Sequence, residues 1–182
     1  DRAAHSQGLS MLAAYLAAGT LGRFGDRALL HADQLAAQSG APYAEMVAAG
    51  CTGIVAMLRG DWAAMRTTHG KAEKICNRLG LGRPWAASFL RSYWALGELY
   101  AGNPTKTLAL LADDSSEDMF GRAMIGSYRG RAMLYAGDVS GARTAFREQE
   151  RSLAFERGMA GIYRRAIVCE LALAEHDWQR AR

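Results

Sequence analysis

A short break, made of glycine followed by an acidic or amide residue, recurs along this chain and constrains its fold more than any other feature. Glycine tolerates the left-handed conformation that ends a helix, and Asp or Asn caps the helix that follows. The spacings between successive breaks are 35, 42, 35 and 39 residues. The recurrence therefore predicts a series of helix–turn–helix joints. The breaks are Gly25-Asp26, Gly60-Asp61, Gly102-Asn103 and Gly137-Asp138, with His176-Asp177 in the next equivalent place.

Prolines and further glycines recur at matching positions relative to these breaks. Pro42 and Pro84 each lie 18 residues before a marker glycine, and proline is favoured in the first turn of a helix. Gly40, Gly80 and Gly158 fall where the second helix of a pair should end. The predicted helices are 5–23 with 27–38, 43–59 with 62–79, 85–101 with 105–112, 118–136 with 139–156, and 160–175 opening a fifth pair.

Apolar residues between the breaks follow helical spacing, as Ile54, Met57 and Leu58 do, and no segment alternates as a strand would. We therefore expect an all-α fold of antiparallel helix pairs lying side by side.

The units resemble tetratricopeptide (TPR) repeats. Such a unit has a small residue on its first helix, Gly-Asp or Gly-Asn and an aromatic at the turn, then Ala and an aromatic on its second helix. The fourth pair matches best, with Gly130, Gly137-Asp138, Ala142 and Phe146. The second pair has Gly53 and Gly60-Asp61-Trp62 but departs at Met65 and His69; the third has Ala95 and Gly102-Asn103 but departs at Thr107 and Leu111; the fifth has Cys169 and Asp177-Trp178; the first departs at Arg27.

This resemblance implies a right-handed superhelical solenoid of about four and a half antiparallel helix pairs. It would span residues 1–182 as a single repeat domain. Units longer than the usual 34 residues of the family are similar to the TPR-like arms of large bacterial signalling regulators and ATPases. The abrupt ends favour a piece excised from a larger protein.

In TPR arrays the first helices of successive pairs line a concave groove. A largely apolar lining with two charged members suits an extended or helical peptide. Two alternatives stay open: Arg131 and Glu170 pair with each other, or the apolar stripe packs against the remainder of a parent protein. By resemblance, the groove residues are Ile54, Met57, Phe89, Ser92, Leu96, Ser127, Arg131, Tyr163 and Glu170.

The charge distribution raises nucleic-acid binding as an alternative function. The net charge is +4. Residues 1–118 carry 11 basic and 11 acidic side chains, whereas residues 119–182 carry 11 basic and 7 acidic ones. The basic excess thus lies in the Arg-rich C-terminal third. The interspersed acids and the lack of a repeated stacking pattern argue against phosphate or base recognition there.

Catalytic chemistry finds little support. The four histidines are scattered without a partner ligand, and no phosphate-binding loop, nucleophile elbow or dinucleotide motif is present. We expect no metal, no cofactor and no enzyme; an all-α enzyme is the weakest alternative. Three cysteines without CxxC spacing favour buried thiols in a reducing cytoplasm. The acidic run at 113–118 is interpreted as a helix cap.

The sequence therefore predicts a cytoplasmic, non-catalytic interaction scaffold, acting as a regulatory arm of a multidomain bacterial signalling protein. Its partner would be a protein, a peptide or another domain of its own chain. Apolar runs are too short to span a membrane. Apolar surface bared on edge helices would favour dimers of this piece.

Overall fold

The computed structural model describes residues 1–19, 21–80, 85–112, 119–152 and 159–175. Within these residues nine α-helices form and no strand does, which confirms the all-α class. The helices are α1 (Arg2–Ala18), α2 (Gly22–Ser39), α3 (Pro42–Leu58), α4 (Trp62–Leu79), α5 (Trp85–Tyr100), α6 (Pro104–Leu111), α7 (Met119–Tyr135), α8 (Val139–Ser152) and α9 (Met159–Ala174).

The chain divides into two compact units, Asp1–Gly97 (unit 1) and Glu98–Arg182 (unit 2). In unit 1, α1 packs against α2 and α3, and α3 packs against α2 and α4. In unit 2, α7 packs against α6, α8 and α9, and α8 packs against α9. Five of these helices therefore contact both their pair partner and a helix of a neighbouring pair, as in helical-repeat proteins; they are α1, α2, α3, α7 and α8. A single repeat domain over the whole chain stays a prediction.

Three of the predicted joints share one backbone geometry. Gly60, Gly102 and Gly137 have φ angles of 73°, 82° and 86°, in the left-handed region. Each glycine N–H donates to the carbonyl three residues earlier, at 3.0 to 3.1 Å. The N–H of the next residue donates to the carbonyl five residues before it, at 2.8 to 2.9 Å. This is the Schellman motif, which satisfies the last carbonyls of the first helix.

The residue after the glycine begins the next helix, but not always as predicted. Asp61 accepts from the N–H of Ala64 at 3.0 Å, and Asp138 accepts from the N–H of Gly141 at 2.8 Å. Both are side-chain caps. Asn103 is the N-cap residue of α6, as the sequence predicts, but its side chain makes no cap hydrogen bond. Its amide Nδ2 instead donates to Glu98 Oε2 at 3.0 Å, so the side chain is turned back to α5.

The predicted break at Gly25-Asp26 is also wrong. α1 ends at Ala18 and α2 begins at Gly22, so Gly25 lies inside α2, where it is buried. A Cβ on Gly25 would lie 2.3 Å from the backbone nitrogen of Ala17. Glycine is therefore required here because α1 and α2 approach closely, and not because a helix ends.

The other predicted helix ends and starts are confirmed in part. Gly40 and Gly80 end α2 and α4 with φ angles of 62° and 59°, as predicted. Pro42 stands at the first turn of α3, also as predicted. The following predictions concern positions outside the described residues: Pro84, the acidic run at 113–118, Gly158 and His176-Asp177.

Equivalent positions around the three joints are buried although their residue types differ. The residues seven positions before the turn glycine are Gly53, Ala95 and Gly130. The residues five positions after it are Met65, Thr107 and Ala142, and those nine positions after it are His69, Leu111 and Phe146. All nine are buried. Within pairs, a Cβ on Gly53 would meet His69 at 2.7 Å, and a Cβ on Gly130 would meet Phe146 at 2.1 Å. In these two pairs the large side chain of the second helix thus packs against the glycine of the first helix.

Candidate interaction site

The predicted groove residues of unit 1 lie mostly inside the packing of that unit. Ile54, Met57, Ser92 and Leu96 are buried, and Phe89 is half-buried against the ring of Tyr93, with ring centroids 4.9 Å apart. Little of their surface is therefore open to a ligand in this structure. Their role in a concave groove stays a prediction.

In unit 2 the two charged residues that the resemblance places in the groove contact each other. Arg131 Nε on α7 lies 2.9 Å from Glu170 Oε2 on α9, and the two side chains are 14% and 30% exposed. Ser127, one turn before Arg131, is fully buried. Tyr163 lies on α9, but its side chain is outside the described set. The pairing is the alternative interpretation of Arg131 and Glu170 that was left open above.

The electrostatics of this pair are set by burial. Desolvation raises the pKa of the Glu170 carboxyl, and the charge and hydrogen bond of Arg131 pull the pKa down against it. A half-buried carboxylate that is already paired has little capacity left for an outside cation. The ion pair therefore connects α7 to α9.

Arginines elsewhere in unit 2 are also engaged within the fold. Arg129 donates to the carbonyl of Leu111, and Arg143 pairs with Glu175. Together with Arg131, these interactions use three of the arginines that gave the C-terminal third its basic excess. Nucleic-acid binding by that third is correspondingly less supported.

An open groove lies on another face of unit 1, between α2 and α4, with buried side chains of α3 and α2 at its floor; we call it the α2–α4 groove. Its volume is about 480 Å³. The residues on each helix follow helical spacing, so that one stripe of each faces the groove. They are Asp26, Leu29, Leu30 and Asp33 on α2, Ala49, Thr52, Val55, Ala56 and Arg59 on or ending α3, and Asp61, Ala64, Thr68 and Lys71 at the start of and along α4.

The floor of this groove is apolar and its rims are charged. Val55 and Leu29 are buried at its base, whereas Leu30 is 63% exposed. Asp26 and Arg59 form an ion pair of 2.8 Å across the helices, with both side chains about half exposed. A small apolar floor between polar rims is the usual lining of a peptide-binding groove. No signal in the sequence of a single helix locates this groove, because its lining comes from three helices.

His69 on α4 is a buried histidine, and its surroundings decide whether it can act as a base or a metal ligand. Its ring stacks on Trp94 with centroids 6.0 Å apart and planes within 4°. Nε2 has no hydrogen-bond partner among the described residues, and burial lowers the pKa to about 4. The adjoining cavity of about 10 Å³ has room for one water at most. His69 is thus a neutral packing residue at neutral pH.

The histidines are less scattered than the sequence predicted. The rings of His5 and His31 meet edge to face, with centroids 6.3 Å apart, because α1 and α2 pack as one pair. Across the described residues, no group of three or more His, Cys, Asp or Glu side chains is arranged to hold a metal ion. Cys51 and Cys76 are buried and Cys169 is half-buried, and burial raises the pKa of the Cys51 thiol to about 12.

No family model, curated protein or solved structure matches this chain. None of the described helices is both long enough and apolar enough to cross a membrane.

Proposed function

We propose that the chain is a non-catalytic, TPR-like interaction scaffold that binds a peptide segment of a partner protein, or of another domain of its own chain, in the α2–α4 groove. The observation that carries this proposal is the combination of an apolar floor at Leu29 and Val55, an exposed Leu30, and charged rims. A peptide side chain inserted beside Leu30 would remove apolar surface from water on both partners.

The architecture in this proposal is a right-handed solenoid. Its support is the repetition of one joint geometry at Gly60, Gly102 and Gly137, together with the equivalent buried positions on each side. Nearest-neighbour packing of this kind presents long open surfaces, which is how repeat proteins bind partners.

The wider setting is part of the same proposal: a cytoplasmic regulatory arm of a bacterial signalling protein. Two features support it. The helix pairs recur at long and irregular spacings, as in the TPR-like arms that the sequence resembles. None of the three cysteines, all of which the structure describes, forms a disulfide, which suits a reducing compartment.

The test is a displayed library of random peptides, selected on the whole chain and on two matched variants. Leu30→Glu places a charge in the groove, whereas Leu12→Glu makes the same change on α1, at a side chain that is 55% exposed and outside the groove. Because both sites are exposed, neither change should unfold the protein.

We expect the native chain and Leu12→Glu to enrich one family of peptides with apolar side chains, and Leu30→Glu to lose it. The dissociation constant of an enriched peptide should rise by about tenfold or more in Leu30→Glu, as expected for loss of one buried apolar side chain. Enrichment of no family, or of the same family by Leu30→Glu, would refute the groove.

A further inference from the structure

A second groove, of about 810 Å³, runs along α4 and is dominated by basic residues. Its charged lining residues are Arg66, Lys71, Lys74 and Arg78, with Glu45 as the one acid among its lining residues. It touches the α2–α4 groove only through Lys71, which lines both. The two surfaces can therefore be tested separately through Lys74 and Arg78.

Three of these cations form a regular stripe. Lys71, Lys74 and Arg78 stand at i, i+3 and i+7, so they share one face of the helix over about 10 Å. All three are exposed, and none makes an ion pair with any residue that the structure describes. Unpaired like charges at this spacing repel one another, and an anionic partner would remove that repulsion.

Acidic side chains on α4 do not neutralise the stripe. Glu73 is adjacent to Lys74 in sequence but pairs with Arg91 on α5, where it is three-quarters shielded from solvent. Asp61 is used as the cap of the same helix. The stripe is thus a surface of excess positive charge in unit 1, whereas the sequence located the basic excess in the C-terminal third.

We propose that the α4 stripe binds an acidic helical segment of a partner protein, with carboxylates at i, i+3 or i+4, and i+7. Helical spacing on both partners would bring each carboxylate to one cation. Single-stranded nucleic acid fits less well because no aromatic side chain lines the groove for base stacking. Duplex nucleic acid fits less well because specific protein–DNA interfaces are much larger basic surfaces than one stripe of three cations.

The experiment measures fluorescence anisotropy of labelled alanine-based helical peptides mixed with the whole chain at low and moderate salt. One peptide carries three glutamates on a single face at the proposed spacing; the other carries the same glutamates spread around the helix. A labelled oligothymidine is a third probe. The variants are Lys74→Gln/Arg78→Gln and, as a control of equal charge change on exposed sites of α2, Arg23→Gln/Arg27→Gln.

We expect the single-face peptide to bind the native chain more tightly than the spread peptide. Its binding should weaken as the salt concentration rises. Each exposed ion pair changes an affinity by about threefold, so Lys74→Gln/Arg78→Gln should weaken binding about tenfold. Arg23→Gln/Arg27→Gln should change it less than twofold. Circular dichroism checks that both variants are folded.

Several results would overturn the proposal. They are failure of the single-face peptide to bind at low salt, equal binding of the two peptides, or equal weakening in both variants. Tighter binding of oligothymidine than of either peptide, lost on Lys74→Gln/Arg78→Gln, would assign the stripe to nucleic acid instead.

Discussion

Acid should destabilise this protein through His69, and the size of the effect follows from its burial. The ring is 2% exposed and is packed between Gly53 and Trp94. Its pKa is lowered from 6.5 to about 4 because the charged form would lose its hydration. The unfolded chain exposes the imidazole and restores the ordinary pKa.

The direction of the pH dependence follows from these two values. Between pH 6.5 and about pH 4 the unfolded state binds a proton that the folded state does not, so the free energy of unfolding falls as pH falls. The stability is complete above the unfolded pKa and is lost progressively below it. A difference of 2.5 pKa units corresponds to about 3 kcal/mol in total, of which about 2 kcal/mol is lost by about pH 5.

The assay is urea unfolding at about pH 7.5 and about pH 5, for the native chain and for His69→Phe. Phenylalanine is the matched replacement because Phe146 occupies the equivalent place against Gly130. His69→Phe should lose about 2 kcal/mol less than the native chain between the two pH values, whatever its absolute stability. Proton NMR of His69 should give a pKa near 4. A pKa near 6.5, or the same acid loss in both proteins, would refute the reasoning.

Two further predictions concern packing and charge. Gly130→Ala puts a Cβ 2.1 Å from Cε1 of Phe146 and should lower the free energy of unfolding, measured in urea, by about 1–3 kcal/mol. Gly70→Ala is the control, because its Cβ would have no atom within 4 Å, and it should stabilise the protein by up to about 1 kcal/mol. Equal effects of the two changes would contradict the assigned contact. Arg131→Met leaves Glu170 unpaired, so its pKa should rise further and the protein should lose about 1–3 kcal/mol at neutral pH, a loss that should shrink on acidification. Arg131→Met/Glu170→Met should recover most of that loss, and a double variant as unstable as the single one would show that the pair is not the cause.

The parts of the fold that the sequence predicted are those decided by neighbouring residues. The turns at Gly60, Gly102 and Gly137 close through hydrogen bonds that span no more than five residues. A glycine that permits positive φ and a following polar residue are therefore enough to locate them. The same holds for the helix ends at Gly40 and Gly80.

Gly25-Asp26 shows where such local signals fail. Its two letters are the same as those of Gly60-Asp61, but Gly25 is needed for the close approach of α1 to α2 at Ala17. Asp26, meanwhile, pairs with Arg59, which is 33 residues away. Both roles depend on contacts between helices, which a dipeptide does not encode.

The candidate site was less predictable for a related reason. The groove residues inferred by resemblance came from positions on first helices, and most of those in unit 1 are buried. Which helical faces stay uncovered depends on how α2, α3 and α4 pack together, and not on the pattern of any one of them. Leu30 and Lys71 are ordinary surface residues in the sequence, and only the packing makes them the rims of a groove.

The joints also explain why the helix pairs differ so much in sequence while keeping one turn geometry. At each joint the residue after the glycine closes the first helix with its own N–H, so the phase between the two helices is set within a few residues. Once that phase is fixed, the positions seven before and nine after the glycine are buried. Any combination that fills the space then suffices, as glycine with histidine in one pair and glycine with phenylalanine in another show. Equivalence between the helix pairs of this chain is therefore clearer in burial and hydrogen bonds than in residue identity.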